Sequence, residues 1–287
     1  MNRTANRLSG KPRIRLAHSE DYQFVHEIVS TFGLTTVCQE ARCPNLHECW
    51  DRRTATIMIL GDTCTRSCGF CSVKTGEPQL PDPKEPHNTA RAVKNMGLRH
   101  VVITSVDRDD LKEDYGADIW TETVHQIHHH APNCTVEILT PDFQGNIHAL
   151  QKVFESAPDI FSHNIECVER ISRQVRPQAN WQRSLEVLKF SVEYGLLTKT
   201  GIMVGLGETK EDVIQTMKHV VELGVKIFTV GQYLQPTKNH IPVDRYVNDE
   251  EFSEYKNIGL NLGFSVVESG ALVRSSYHAD VQARLIL

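Results

Sequence analysis

Short runs of aliphatic and β-branched residues alternate along the chain with longer segments whose apolar positions recur every three to four residues. The runs at 54–61 (TATIMILG), 100–106 (HVVITSV), 134–140 (CTVEILT), 159–166 (DIFSHNIE), 197–204 (LTKTGIMV) and 226–234 (KIFTVGQYL) read as strands. Segments 117–129, 181–194 and 211–223 carry the helical period. Six βα units in series imply parallel strands joined by right-handed helical crossovers. That leaves a TIM-type barrel, whole or partial, or an open doubly wound sheet, and the pattern alone does not separate them.

Polar and ligand-type residues gather just past the predicted strands. Cys64 to Cys71 follow the first, Ser105 and Asp107 the second, residues 205–208 the fifth and Gln235 the sixth, with Asn164 and Glu166 ending the fourth. In parallel α/β folds the site lies at the carboxyl ends of the strands, so these loops are expected to share one mouth. A Pro-rich stretch, 78–86, reads as a surface loop leading into the first helix of the series, and no internal repeat appears beyond the βα period.

At 287 residues and 40% hydrophobic content, the chain can bury one large core with extensions at either end. Its net charge of -5 comes from well-mixed acids and bases, which points to neither nucleic acid nor an anionic membrane as partner. One local exception is a basic arm with Arg3, Arg7, Lys11, Arg13 and Arg15 and no acid before Glu20; it reads as a solvated end, with docking to an acidic partner as the alternative. No apolar run reaches the roughly 18 residues of a membrane span, and no apolar core follows the basic start as in a secretory leader. The expected location is the cytoplasm, where reducing conditions keep thiols free for metals.

Six of the eight cysteines form two triplets, Cys38-x4-Cys43-x5-Cys49 and Cys64-x3-Cys68-x2-Cys71. Thiolate sulfur suits iron, and three cysteines on one loop hold three irons of a cubane while leaving the fourth open. For Cys64-x3-Cys68-x2-Cys71 structural zinc is the alternative, but it takes four ligands, usually as paired knuckles, and no fourth Cys or His stands at that spacing. A two-cluster electron carrier is a second alternative, against which ferredoxins ordinarily supply four cysteines per cluster. Cys134 and Cys167, each on a predicted strand, read as buried and unreactive, and His128 to His130 as a helix end.

CTRSCGFC, directly after the first strand, resembles the signature of radical S-adenosylmethionine enzymes. CQEARCPNLHEC, GDTCTRSCGFC, TSVDRDDL, HNIE, VRP, KTGIMVGLGE, QYLQPT and RSSYHA, in that order, narrow the resemblance to the lipoyl synthase family. The resemblance implies a partial (β/α)6 barrel of TIM type at 54–240, an N-terminal extension at 1–53 carrying the first triplet, and a C-terminal extension at 241–287 carrying RSSY. It implies that Cys64, Cys68 and Cys71 hold a 4Fe-4S cluster whose open iron chelates S-adenosylmethionine, the source of a 5'-deoxyadenosyl radical. Phe70 would lie against the adenine, Asn164 and Glu166 at the ribose hydroxyls, and Gly205 where backbone approaches the adenosyl group. Ser105 stands where many radical enzymes carry a Gly-Gly-Glu segment facing the methionine amine.

The same resemblance assigns Cys38, Cys43 and Cys49 to an auxiliary 4Fe-4S cluster completed by a serine of RSSY. Ser275 and Ser276 are the candidates, and the family pattern favours Ser276. An alkoxide is a hard ligand on a soft site, which suits a cluster that must release iron when it gives up sulfide. Arg274 would hold substrate or neutralise cluster charge. The implied reaction inserts sulfur at C6 and C8 of an octanoyl group on a lysine of a lipoyl carrier domain, with an electron donor such as ferredoxin or flavodoxin. Another radical sulfur-inserting enzyme is the nearest rival, which the RSSY tail and the first triplet's spacing disfavour.

Overall fold

The computed structural model describes residues 19–287; the basic arm of Arg3, Arg7, Lys11, Arg13 and Arg15 lies outside the described residues. Its strands are β1 (Thr35–Thr36), β2 (Thr56–Ile59), β3 (Thr63–Cys64), β4 (Lys74–Thr75), β5 (His100–Ser105), β6 (Thr135–Leu139), β7 (Ile160–Ser162), β8 (Thr198–Val204), β9 (Ile227–Gln232) and β10 (Val266–Gly270). Eight of them form one sheet in the order β1-β2-β5-β6-β7-β8-β9-β10, while β3 and β4 pair separately. From β2 to β10 every neighbour is parallel, and β1 joins the β2 edge antiparallel. The architecture is the expected α/β partial barrel.

The helices follow from their sequence signals. The one at Trp181–Tyr194 starts where the Asn180 side chain accepts from the Arg183 amide, buries Trp181, Val187 and Leu188, and stops at Gly195 with φ 97°. Lys210–Glu222 opens on a reciprocal capping box between Thr209 and Asp212. The Pro-rich stretch ends in the helix Glu85–Met96, as expected. His128 to His130 close the helix Ala117–His130.

Three features depart from the expectations. A seventh parallel strand, β10, lies inside the predicted C-terminal extension and pairs with β9 along its whole length. β7 is shorter than 159–166, because after Ser162 the chain leaves the ladder. Glu166, with φ 65°, then rejoins β8 by a bridge to Ile202, and this detour turns the HNIE run toward the lumen. Cys134 and Cys167 are buried as expected but sit just outside strands rather than on them.

Beyond β10 the tail crosses the barrel. Gly231 of β9 is obligatory there, since a Cβ would stand 2.1 Å from the Val273 carbonyl oxygen. The tail is tied to the N-terminal segment by Asn45 Nδ2 donating to Leu272 O at 2.7 Å, by Tyr277 Oη donating to Glu48 at 3.0 Å, and by an Arg52–Asp280 pair at 3.3 Å. Thus residues 45–52 and 272–280 are held together beside the lumen.

Below, Ala283 of the helix Ala279–Arg284 packs on Ile160, Ile227 and Val266, at the first residues of β7, β9 and β10. Lys199 Nζ meets Glu137 at 2.8 and 3.1 Å, both wholly buried, with His100 at 3.6 Å from the carboxylate. Among the described residues no helix is long and apolar enough to cross a membrane.

Candidate active site

The upper lumen is a cavity of about 930 Å³, and all six triplet cysteines line it. Each triplet owes its shape to local chemistry. Thr36 caps the four-residue helix Val37–Glu40, which carries Cys38; the chain then turns through Arg42, at φ 51°, so that the Cys43 amide reaches back to Cys38 O at 3.0 Å. Cys49 lies on Leu46–Asp51, and its carbonyl accepts from the Thr54 amide and hydroxyl. The second triplet starts in β3, tied to β4 by Gly76 N donating to Cys64 O. Gly69 N then donates to Val175 O, and a side chain at Gly69 would drive into Ile241.

All eight cysteines are free thiols. Burial pushes the Cys38 thiol up to about 11, with Cys43 acting the same way, and pushes Cys49 up to about 12 with help from Cys38 and Cys43. Burial likewise drives Cys64 to about 11, with Asp107 as the next cause, and Cys68 to about 12 against the pull of Arg176. Gathering three such sulfurs as thiolates therefore requires cationic iron or another positive centre among them. Among the described residues no three His, Cys, Asp or Glu side chains converge as a single-ion site. The corners of a cubane lie apart and ask for no such convergence.

Arg274 bears on whether a cluster suits the first triplet. It lines the cavity without a carboxylate salt-bridge partner among the described residues; its Nη1 donates only to Val273 O, at 2.6 Å. Burial lowers its pKa, while Cys43 and Glu166 pull the other way. A deep-set, unpaired guanidinium suits an anionic neighbour, and a 4Fe-4S core bound by three thiolates and an alkoxide is one.

Phe70, Ser105, Asn164, Glu166, Ser275 and Ser276 also line the cavity. The Ser105 hydroxyl donates to Val106 O at 2.8 Å. Asn164 Nδ2 donates to Ser275 Oγ at 2.5 Å, so of the two candidate serines Ser275 is already engaged by protein. Burial raises the Glu166 carboxyl, opposed by Arg176. Gly205 does not line the cavity. The space a Cβ would need is filled by Gln232 Nε2 at 2.2 Å and Arg245 O at 2.5 Å, so its glycine requirement is met by the chain's own packing.

The sequence places Asp107 at this mouth, but nothing in it signals the charged frame around that residue. Arg176 of the VRP run donates to Ile165 O at 3.0 Å and so holds the HNIE segment from behind. His163 is wholly enclosed, its ring nitrogens 2.9 Å from Thr140 O and 3.0 Å from Ser184 Oγ; burial, then the Arg176 charge, press it down to about 4. Asp107 faces Cys64 Sγ at 3.8 Å, and burial lifts it to about 6 against Arg66.

A barrel mouth ringed by a Cys-x3-Cys-x2-Cys loop defines a class of protein, and comparison agrees: residues 58–220 match the Radical SAM superfamily model. The fold is shared at 12% identity with Streptococcus suis SuiB bound to S-adenosylmethionine (TM-score 0.60, 79% of this chain and 55% of that one). Methylornithine synthase shares it at 13% identity (TM-score 0.55, 91% and 82%). Among curated proteins, lipoyl synthase of Rubrobacter xylanophilus is 54% identical over 95% of this chain and 86% of its own length. Mitochondrial lipoyl synthase of Nematostella vectensis is 52% identical over 93% and 92%. The chain belongs to the lipoyl synthase family.

Proposed function

We propose that the chain inserts two sulfur atoms, at C6 and C8, into an octanoyl group carried on a lysine of a lipoyl carrier domain. The observation that carries this reading is the placement of both cysteine triplets on one cavity. In it, Cys64, Cys68 and Cys71 hold the 4Fe-4S cluster that binds S-adenosylmethionine, and Cys38, Cys43, Cys49 and Ser276 hold a second. When bound, these groups supply hydrogen abstraction and transferable sulfide.

The chain's own residues bind and orient. Asn164 and Glu166 face the ribose hydroxyls, Phe70 the adenine, and the Ser105 loop the methionine amine. Gly205 shapes the wall behind the adenosyl site through Gln232 and Arg245. Arg274 balances the charge of the second cluster and borders the acyl chain. A wall formed by residues 37–56 and 273–280 excludes water and stray hydrogen donors, which a carbon radical requires. The carrier domain and an electron donor such as ferredoxin or flavodoxin are the partners, and a reducing cytoplasm suits eight free cysteines.

Anaerobic reconstitution tests the reading. About eight irons per chain, 5'-deoxyadenosine from S-adenosylmethionine and reductant, and a dithiolated octanoyl-lysine peptide are expected. A chain that cleaves S-adenosylmethionine but leaves the peptide unthiolated would belong to a different radical reaction.

A further inference from the structure

Arg66 lies within the second triplet's loop, between Cys64 and Cys68, and is 4% exposed. Its Nε and Nη2 fork onto Asp109 at 2.7 and 2.9 Å, Nη2 also reaches Asp142 at 2.6 Å, and Nη1 meets Asp107 at 3.1 Å. These carboxylates come from the loops after β5 and β6, so one guanidinium ties three consecutive strand-end loops together. Backbone contacts repeat the join: Thr65 N and Oγ1 both donate to Asp107 O, and Asp109 N donates to Thr65 Oγ1.

The Asp142 arm is held at a cost. Phe143 and Gln144 take φ of 44° and 54° ahead of Gly145 at 74°, a left-handed run that side chains resist. Arg183 braces the same turn, meeting Asp142 at 3.3 Å and Gln144 Oε1 at 2.7 Å. Strained backbone and buried charge, both directed at one side chain of the cysteine loop, are more than barrel stability asks for. Among the described residues the Arg66 guanidinium has no hydrogen bond to a cysteine sulfur; only the Arg66 backbone amide does, donating to Cys64 Sγ at 3.4 Å.

We infer that Arg66 is a positioning residue that sets the Cys64–Cys71 loop in its iron-accepting shape before any cluster is assembled. The inference rests on the second triplet being a cluster site. A preformed loop accepts iron without ordering itself at that moment, whereas a loose one must order first.

Hydrogen exchange on metal-free protein, followed by anaerobic iron loading, tests this. In wild type, peptides covering residues 63–76 and 105–110 should be protected; in Arg66→Met they should exchange at least tenfold faster, while the rest of the barrel is unchanged. After loading, iron should fall from about eight to about four per chain, and the spectral change on adding S-adenosylmethionine should vanish. Arg66→Lys, which keeps the charge and loses the fork, should fall between. Should Arg66→Met not fold, Asp109→Asn removes one arm and should show the same selective loosening. Unchanged exchange, full iron loading, or equal loss at both triplets would overturn the inference. A wild-type chain that takes no iron at the second triplet refutes instead the cluster assignment beneath it.

Discussion

Asn164 Nδ2 donates to Ser275 Oγ at 2.5 Å, joining the segment that turns in from β7 to the C-terminal motif 111 residues later. The radical half of the cavity and the half beside the first triplet are thereby in direct contact. Removing the hydroxyl leaves the amide without its acceptor, at a cost of about 1–3 kcal/mol. Ser275→Ala should therefore weaken S-adenosylmethionine binding about tenfold with iron content unchanged, as read by equilibrium binding and metal analysis. Ser276→Ala should do the reverse, sparing binding while altering the first triplet's cluster.

The tail depends on Gly231. With Val273 O 2.1 Å from the position of a Cβ, Gly231→Ala must push the tail away from β9. Denaturant melts should show a loss of about 2 kcal/mol or more, the range of overpacked sites. Iron at the first triplet should fall with it, while 5'-deoxyadenosine formation persists. A neutral substitution would mean the tail tolerates another path.

The ties between the segment at 45–52 and the tail should be energetically uneven. Arg52 and Asp280 make an exposed pair, so Arg52→Ala should cost less than about 1 kcal/mol. Asn45 is 3% exposed and donates to a backbone carbonyl, so Asn45→Ala should cost about 1–3 kcal/mol. Urea titrations of the two variants decide the order.

His163 gives the metal-free protein a defined response to acid. Its folded pKa, about 4, lies below the unfolded value of about 6.5, so the unfolded chain binds the extra proton between them. Stability from this site is complete above pH 6.5 and is lost as pH falls toward 4. Asp107, raised to about 6, contributes with the opposite slope over an overlapping range. The comparison of wild type with His163→Gln isolates the histidine. Their stability difference should change by on the order of 3 kcal/mol across the window, and a pH-independent difference would show that His163 titrates normally.

What the sequence exposed was mostly what repeats locally. Cysteine spacing is a short-range pattern, and the six strands carry dense β-branched runs. The helix at Trp181–Tyr194 matches its predicted bounds because Asn180 and Gly195 mark both ends. β10 also has such a run, VVESG, three residues after the helix Asp249–Leu262, but it is short and lies within 241–287, which reads as an extension around RSSY. The Arg66 frame was invisible for a different reason. Asp107, Asp109 and Asp142 are scattered carboxylates until the loops after β5 and β6 meet the loop that follows β2, and no local period records that meeting. Gly205 shows the converse, a glycine whose motif suggested ligand contact and whose neighbours are Gln232 and Arg245.

We propose a sulfur-donating cluster at the first triplet, on the same cavity as the radical source. The direct measurement is a single turnover of an octanoyl-lysine peptide by chain reconstituted with heavy-isotope sulfide, with mass spectrometry of the product. Heavy sulfur at both C6 and C8, abolished by replacing Cys38, Cys43 and Cys49 with alanine, is the predicted result. Light sulfur in the product, or heavy sulfur that survives loss of that triplet, would contradict it.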